Sequence, residues 1–192
     1  MGPGARDILA ILRRIAYSSF LQQQHTPIIR MASENTTSDV GATIASLRES
    51  LCSETTPLTV RFRALFSLKH VAQTSSDSAA ADAAIAAIAA GFASPSALLK
   101  HELAYCLGQT GKDSAIAPLR DVLSDLNEDP MCRHEAAEAL GALGKADNLE
   151  LLKHFRDRAG EEVVVTETCE IAIDRIEWEN SKARQDEKLK QR

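Results

Sequence analysis

Apolar positions recur three and four residues apart from about residue 40 onward, which is the signature of amphipathic helices. Val60, Leu65, Leu68 and Val71 stripe one such segment over about 57–73. It follows a first helix over about 41–52, with Thr56 placed to cap it and Pro57 suited to the first helical position. A Ser/Asp loop at 74–78 leads to an alanine-rich helix over about 79–91. The tetrapeptide "ASPS" then opens a helix carrying His101, which Gly108 and Gly111 are expected to help end. Further helices are predicted over 114–126 and 131–143, with Asp129-Pro130 opening the second, and over 147–158 and 163–179. No segment alternates with a period of two, so no strands are predicted. The expected class is all-α, with about four helix pairs.

The pattern also repeats. Lys100-His101-Glu102 returns as Arg133-His134-Glu135. Ala104 recurs at the same spacing as Ala137, Leu107 as Leu140, Gly108 as Gly141, Gly111 as Gly144, Lys112 as Lys145, and Leu119 as Leu152. A period of about 33 residues predicts a solenoid of bi-helical repeats, each stacked on its neighbour. The second helices of the outer repeats align through Phe62-Arg63, somewhat more than one period before His101-Glu102, and Thr166-Glu167, about one period after His134-Glu135. The repeat domain is thus expected over 41–179, with a polar N-terminus at 31–40 and a charged tail at 180–192. Trp178 is expected to close the last helix pair.

Residues 1–30 differ from the rest, with four arginines against the single acid Asp7. Such a leader reads as an organellar transit peptide or as an alternative extension upstream of Met31. The second reading is preferred because "MASENTTSDVG" has the character of a polar N-terminus.

Composition narrows the function. The 192 residues suffice for one sizeable domain, and 44% hydrophobic residues can fill its core. With 22 basic and 27 acidic residues (net charge −5), there is no basic face and no nucleic-acid partner is expected. No apolar run nears the roughly 20 residues that cross a bilayer, so no membrane partner is expected. Cys52, Cys106, Cys132 and Cys169 form no CxxC pair and read as small hydrophobes in a reduced cytoplasmic protein.

The His-Glu pairs carry the candidate chemistry. Stacking sets equivalent residues side by side on neighbouring helices about 8–10 Å apart, so His101, Glu102, His134 and Glu135 would converge on one patch. Two imidazoles with one or two carboxylates leave coordination positions open, a donor set that suits non-haem Fe(II). Their place near helix N-termini would keep both imidazoles neutral. From the residues alone, a repeated surface pair is an equal alternative. His25, His70 and His154 fall outside this register and read as surface or packing residues.

Four runs carry a resemblance: "EDPMCRHEAAEALGALG" at 128–144, "LLKHELAYCLGQTG" at 98–111, "RFRALFSLKH" at 61–70 and "ETCEIAIDRIEW" at 167–178. Over about 40–179 the chain resembles the deoxyhypusine hydroxylase family. The resemblance implies HEAT-like repeats and a di-iron centre that uses molecular oxygen to hydroxylate the deoxyhypusine side chain of a translation initiation factor. His101, Glu102, His134 and Glu135 would match the first two of the family's four His-Glu motifs and hold one Fe(2+). One glutamate could face the substrate's amine instead, and no catalytic residue is assigned. The family pattern has two such halves, and only the first is matched. A second half in trans, or a symmetric homodimer, would complete four motifs. The alternative function is a metal-free HEAT-repeat scaffold or fragment that binds a protein partner.

Overall fold

The computed structural model describes residues 37–181. The leader at 1–30, most of the polar N-terminus and nearly all of the charged tail lie outside these residues. The chain divides into two units, Met1–Val40 and Gly41–Arg192. Of the first, only residues 37–40 are described, as the opening turn of helix α1.

The described residues of the second unit form helices joined by short loops and turns, and no strand occurs among the described residues. Its order is α1 (Thr37–Cys52), α2 (Leu58–Thr74), α3 (Ser78–Ala89), α4 (Ala97–Thr110), α5 (Ile116–Ser124), α6 (Pro130–Leu143), α7 (Leu149–Arg156) and α8 (Val163–Glu179). Short 3₁₀ turns at Ala90–Ala93, Asp113–Ala115 and Ala146–Asn148 adjoin α3, α5 and α7. The expected helix pairs are all present, as an all-α HEAT-like solenoid. The second helices line up, with α4 against α2, α6 against α4 and α8 against α6. No helix among the described residues is long and apolar enough to cross a membrane.

Local chemistry explains the bounds. Asp129 accepts from the Met131 amide at 2.8 Å, and Pro130 occupies the first turn of α6. Ser96 Oγ accepts from the Leu99 amide at the start of α4. Gly111 (φ 65°) and Gly144 (φ 70°) end α4 and α6 in the left-handed region, where glycine carries no Cβ penalty. Thr56 does not cap α2: Pro57 takes that place, without a side-chain bond.

Gly108 departs from expectation more usefully. It lies inside α4, and a Cβ there would sit 2.8 Å from the Ala139 Cβ of α6. Gly141 meets Ala172 of α8 in the same way, at 2.7 Å. These glycines are contact points that let three second helices nest closely. Lys69 takes this register position in α2. It lies buried, with its ammonium 5.5 Å from the Phe66 ring and 6.0 Å from the Tyr105 ring.

Leu99, Leu103, Leu107, Leu119, Leu123, Leu140 and Leu152 are wholly buried between the layers. Each contributes roughly 1.5–3 kcal/mol of transfer free energy. Trp178, near the end of α8, is 44% exposed.

Candidate metal centre

The base before each His-Glu pair ties one repeat to the next. Lys100 Nζ reaches Glu128 at 2.5 Å, and Arg133 grips Glu161 through two bonds of 2.5 and 2.8 Å. Each glutamate follows its base at the same separation along the chain. Arg133 Nε also donates to the Leu123 carbonyl, as Arg61 Nε does to Leu51. This shared bond places Arg61 in register with Arg133, and hence Phe62 in register with the histidines. The Arg133 guanidinium holds the Glu161 carboxyl down at about 2 despite its burial. These clasps and the nested glycines fix the helices that carry the candidate ligands.

At the α4–α6 junction, His101, His134 and Glu135 each offer a ligand atom, and the three atoms lie within 4.8 Å of one another. It is the one His/Cys/Asp/Glu cluster of this kind among the described residues. His101 Nε2 lies 3.2 Å from Glu135 Oε2. The two imidazole centroids are 6.4 Å apart. His101 and Glu135 are buried and His134 is partly so.

Glu102 is buried too but stands outside this group. The repeat explains why. Glu135 meets the histidine of the preceding repeat, whereas the equivalent position facing Glu102 is Phe62. Convergence therefore involves three of the four expected residues, at a single junction.

The histidines differ electrostatically. Burial pulls His101 down, but its hydrogen bond to Glu135 and the charges of Glu135, Glu102 and Glu138 outweigh this and raise it overall. Burial lowers His134. The shared helix position therefore does not make the two imidazoles titrate alike; the neighbouring carboxylate sets them apart.

Two contributors escaped the sequence reading. Glu138 reaches within 4.0 Å of His134 Nε2, a contact that its i,i+4 spacing could have signalled. Thr168 Oγ1 lies 2.6 Å from His134 Nδ1. The fourth repeat is therefore set by Thr168, and the alignment through Thr166-Glu167 is corrected. Thr168, and not a carboxylate, is what α8 brings to His134 Nδ1.

The cysteines stay apart from the cluster. Burial pushes the Cys132 and Cys169 thiols up to about 12 and raises Cys106 as well. Thiols so hard to ionise are poor ligands and nucleophiles. His70 and His154 are exposed, as expected.

Two imidazoles and a carboxylate, with Glu102 and Glu138 adding negative potential, fit a divalent transition metal. Mixed nitrogen and oxygen donors without thiolate are compatible with iron and unlike a thiolate-rich structural zinc site.

Comparisons with known proteins give the same picture of the fold. Residues 85–170 match the HEAT repeat family. A deoxyhypusine hydroxylase of Gibberella zeae is 72% identical over 149 residues, which cover 78% of this chain and 44% of that protein. That of Aspergillus fumigatus is 58% identical over 156 residues, or 81% of this chain and 47% of the relative. The solved structure of human deoxyhypusine hydroxylase in complex with glycerol aligns with a TM-score of 0.66 at 42% identity. It covers 74% of this chain and 46% of that one. The chain thus spans a little under half the length of these relatives.

Proposed function

The chain is homologous to about half of a deoxyhypusine hydroxylase, and on that premise we propose that it forms one iron-holding half of such an oxygenase. The observation that carries this reading is the 4.8 Å cluster of His101, His134 and Glu135. These three would hold one Fe(2+), leaving open positions for oxygen and substrate. Bound iron would supply oxygen activation: one atom enters the substrate C–H bond as a hydroxyl and the other leaves as water, with two electrons from an external reductant.

The remaining work falls to the protein. The substrate would be a deoxyhypusine side chain on a translation initiation factor, long and cationic. The buried Glu102 and the exposed Glu138 add negative potential around the cluster, suited to the amines of that side chain. The nested helices would hold the histidines rigidly enough to fix the substrate carbon relative to the site. The opposing wall would come from the rest of the family's architecture or from a second copy of this chain.

Anaerobic Fe(II) titration of His101→Ala and His134→Ala tests the assignment. Both should lose more than the roughly 100-fold in affinity typical of even a supporting residue, with helicity unchanged. Affinity equal to the parent chain in both variants would refute it and favour a metal-free scaffold.

A further inference from the structure

Thr168 sits on α8, beyond the cluster, and holds His134 by a bond whose direction can be worked out. Its Oγ1 lies 2.7 Å from the Val164 carbonyl, one turn earlier in its own helix, and 2.6 Å from His134 Nδ1. A hydroxyl has one hydrogen, and a carbonyl can only accept. The hydrogen therefore points to Val164, since otherwise two oxygen lone pairs would face each other at hydrogen-bonding distance. Oγ1 then turns a lone pair to His134, and Nδ1 must carry the hydrogen. The lone pair of the ring is left on Nε2.

Thr168 stands at the same separation along the chain from His134 as Glu135 does from His101, but it meets Nδ1 where Glu135 meets Nε2. The repeat thus keeps an acceptor opposite each histidine, but a hydroxyl here replaces the carboxylate. The hydroxyl is largely buried, so water competes poorly for Nδ1.

We propose that Thr168 is a positioning residue of the metal centre: it fixes His134 as the Nδ1–H tautomer and presents Nε2 as the ligand atom. The inference rests on the metal-site reading above. Metal-binding histidines commonly have their second nitrogen anchored in this way, and losing the anchor weakens metal binding about 10–100-fold.

The test uses the full chain, with Thr168→Val, which keeps the shape and removes the acceptor, and Thr168→Ser, which restores it. Nitrogen-15 NMR of the metal-free protein at mildly alkaline pH reports the His134 tautomer, and anaerobic Fe(II) titration reports affinity. The parent chain and Thr168→Ser should show Nδ1–H. Thr168→Val should shift toward Nε2–H and bind Fe(II) about 10–100-fold more weakly, while circular dichroism stays unchanged. An Nε2–H tautomer in the parent chain overturns the inference, as does parental Fe(II) affinity in Thr168→Val. A parent chain that shows Nδ1–H yet binds no Fe(II) overturns the metal reading instead.

Discussion

The α4–α6 and α6–α8 junctions share one plan and differ in the base and in the acceptor that meets the histidine. Each pairs a base with a glutamate, a histidine with an acceptor and a glycine with an alanine, and each kind of pair keeps its separation along the chain. At the first junction these are Lys100–Glu128, His101–Glu135 and Gly108–Ala139. At the second they are Arg133–Glu161, His134–Thr168 and Gly141–Ala172. The first brings a carboxylate to its histidine and so builds a candidate metal site. The second brings a neutral hydroxyl and a two-pronged buried ion pair, and so builds that site's support. Repetition supplies the geometry, and the residue types assign the roles.

The largest effect should come from breaking the support. Arg133 and Glu161 leave only 3% and 2% of their side chains exposed. Glu161→Ala strands a buried guanidinium and should cost about 3–5 kcal/mol in denaturant unfolding. Glu128→Ala, at the less buried Lys100 pair, should cost less, about 1.5–3 kcal/mol. Equal losses would mean that the junctions do not differ as described.

Acid should separate the junctions as well. The folded Glu161 carboxyl is depressed from 4.5 to about 2, so its contribution is fully present above pH 4.5. It should be lost as pH falls from there through about 2, a difference of roughly 3 kcal/mol at most. Glu161→Gln should be less stable near neutrality and flatter across that window. Parallel acid-unfolding profiles for parent and variant would contradict this.

Making the first junction resemble the second removes its charge. Glu135→Thr should lower Fe(II) affinity by roughly 100-fold or more, beyond the range for a supporting residue. The His101 titration followed by NMR should fall too, because Glu135 is the main group raising it. Retained affinity would show that the carboxylate is not a ligand.

The smallest effects should come from the glycines. Gly108→Ala and Gly141→Ala would press a methyl to 2.8 and 2.7 Å, respectively, from an alanine Cβ on the next helix. Each should cost about 1–3 kcal/mol and part the helices slightly. Thermal unfolding unchanged in both would mean that the nesting is looser than it looks.

Most of the fold was legible because helix signals are local. Asp129-Pro130 and the apolar stripes act within one or two turns, and the recurrence of the His-Glu segment copies a whole repeat. The site was legible as far as the His-Glu register. Beyond it, two facts depended on packing across repeats. Adjacent residues on a helix point about 100° apart, so sequence could not say that Glu135 rather than Glu102 would meet a histidine. The fourth repeat has no His-Glu pair to fix its alignment. Matching a carboxylate selected Thr166-Glu167, whereas the contact of Gly141 with Ala172 sets a register that brings Thr168 to His134. Gly108 misled for a related reason: a glycine near a helix end reads as a stop, but this one serves helix contact.

The most direct test of the central claim is X-ray absorption at the iron edge of the Fe(II)-loaded chain. The account predicts two imidazoles and a carboxylate around a single iron, with one imidazole lost in His134→Ala. An iron surrounded by oxygen alone, or a spectrum that His134→Ala leaves unchanged, would contradict it.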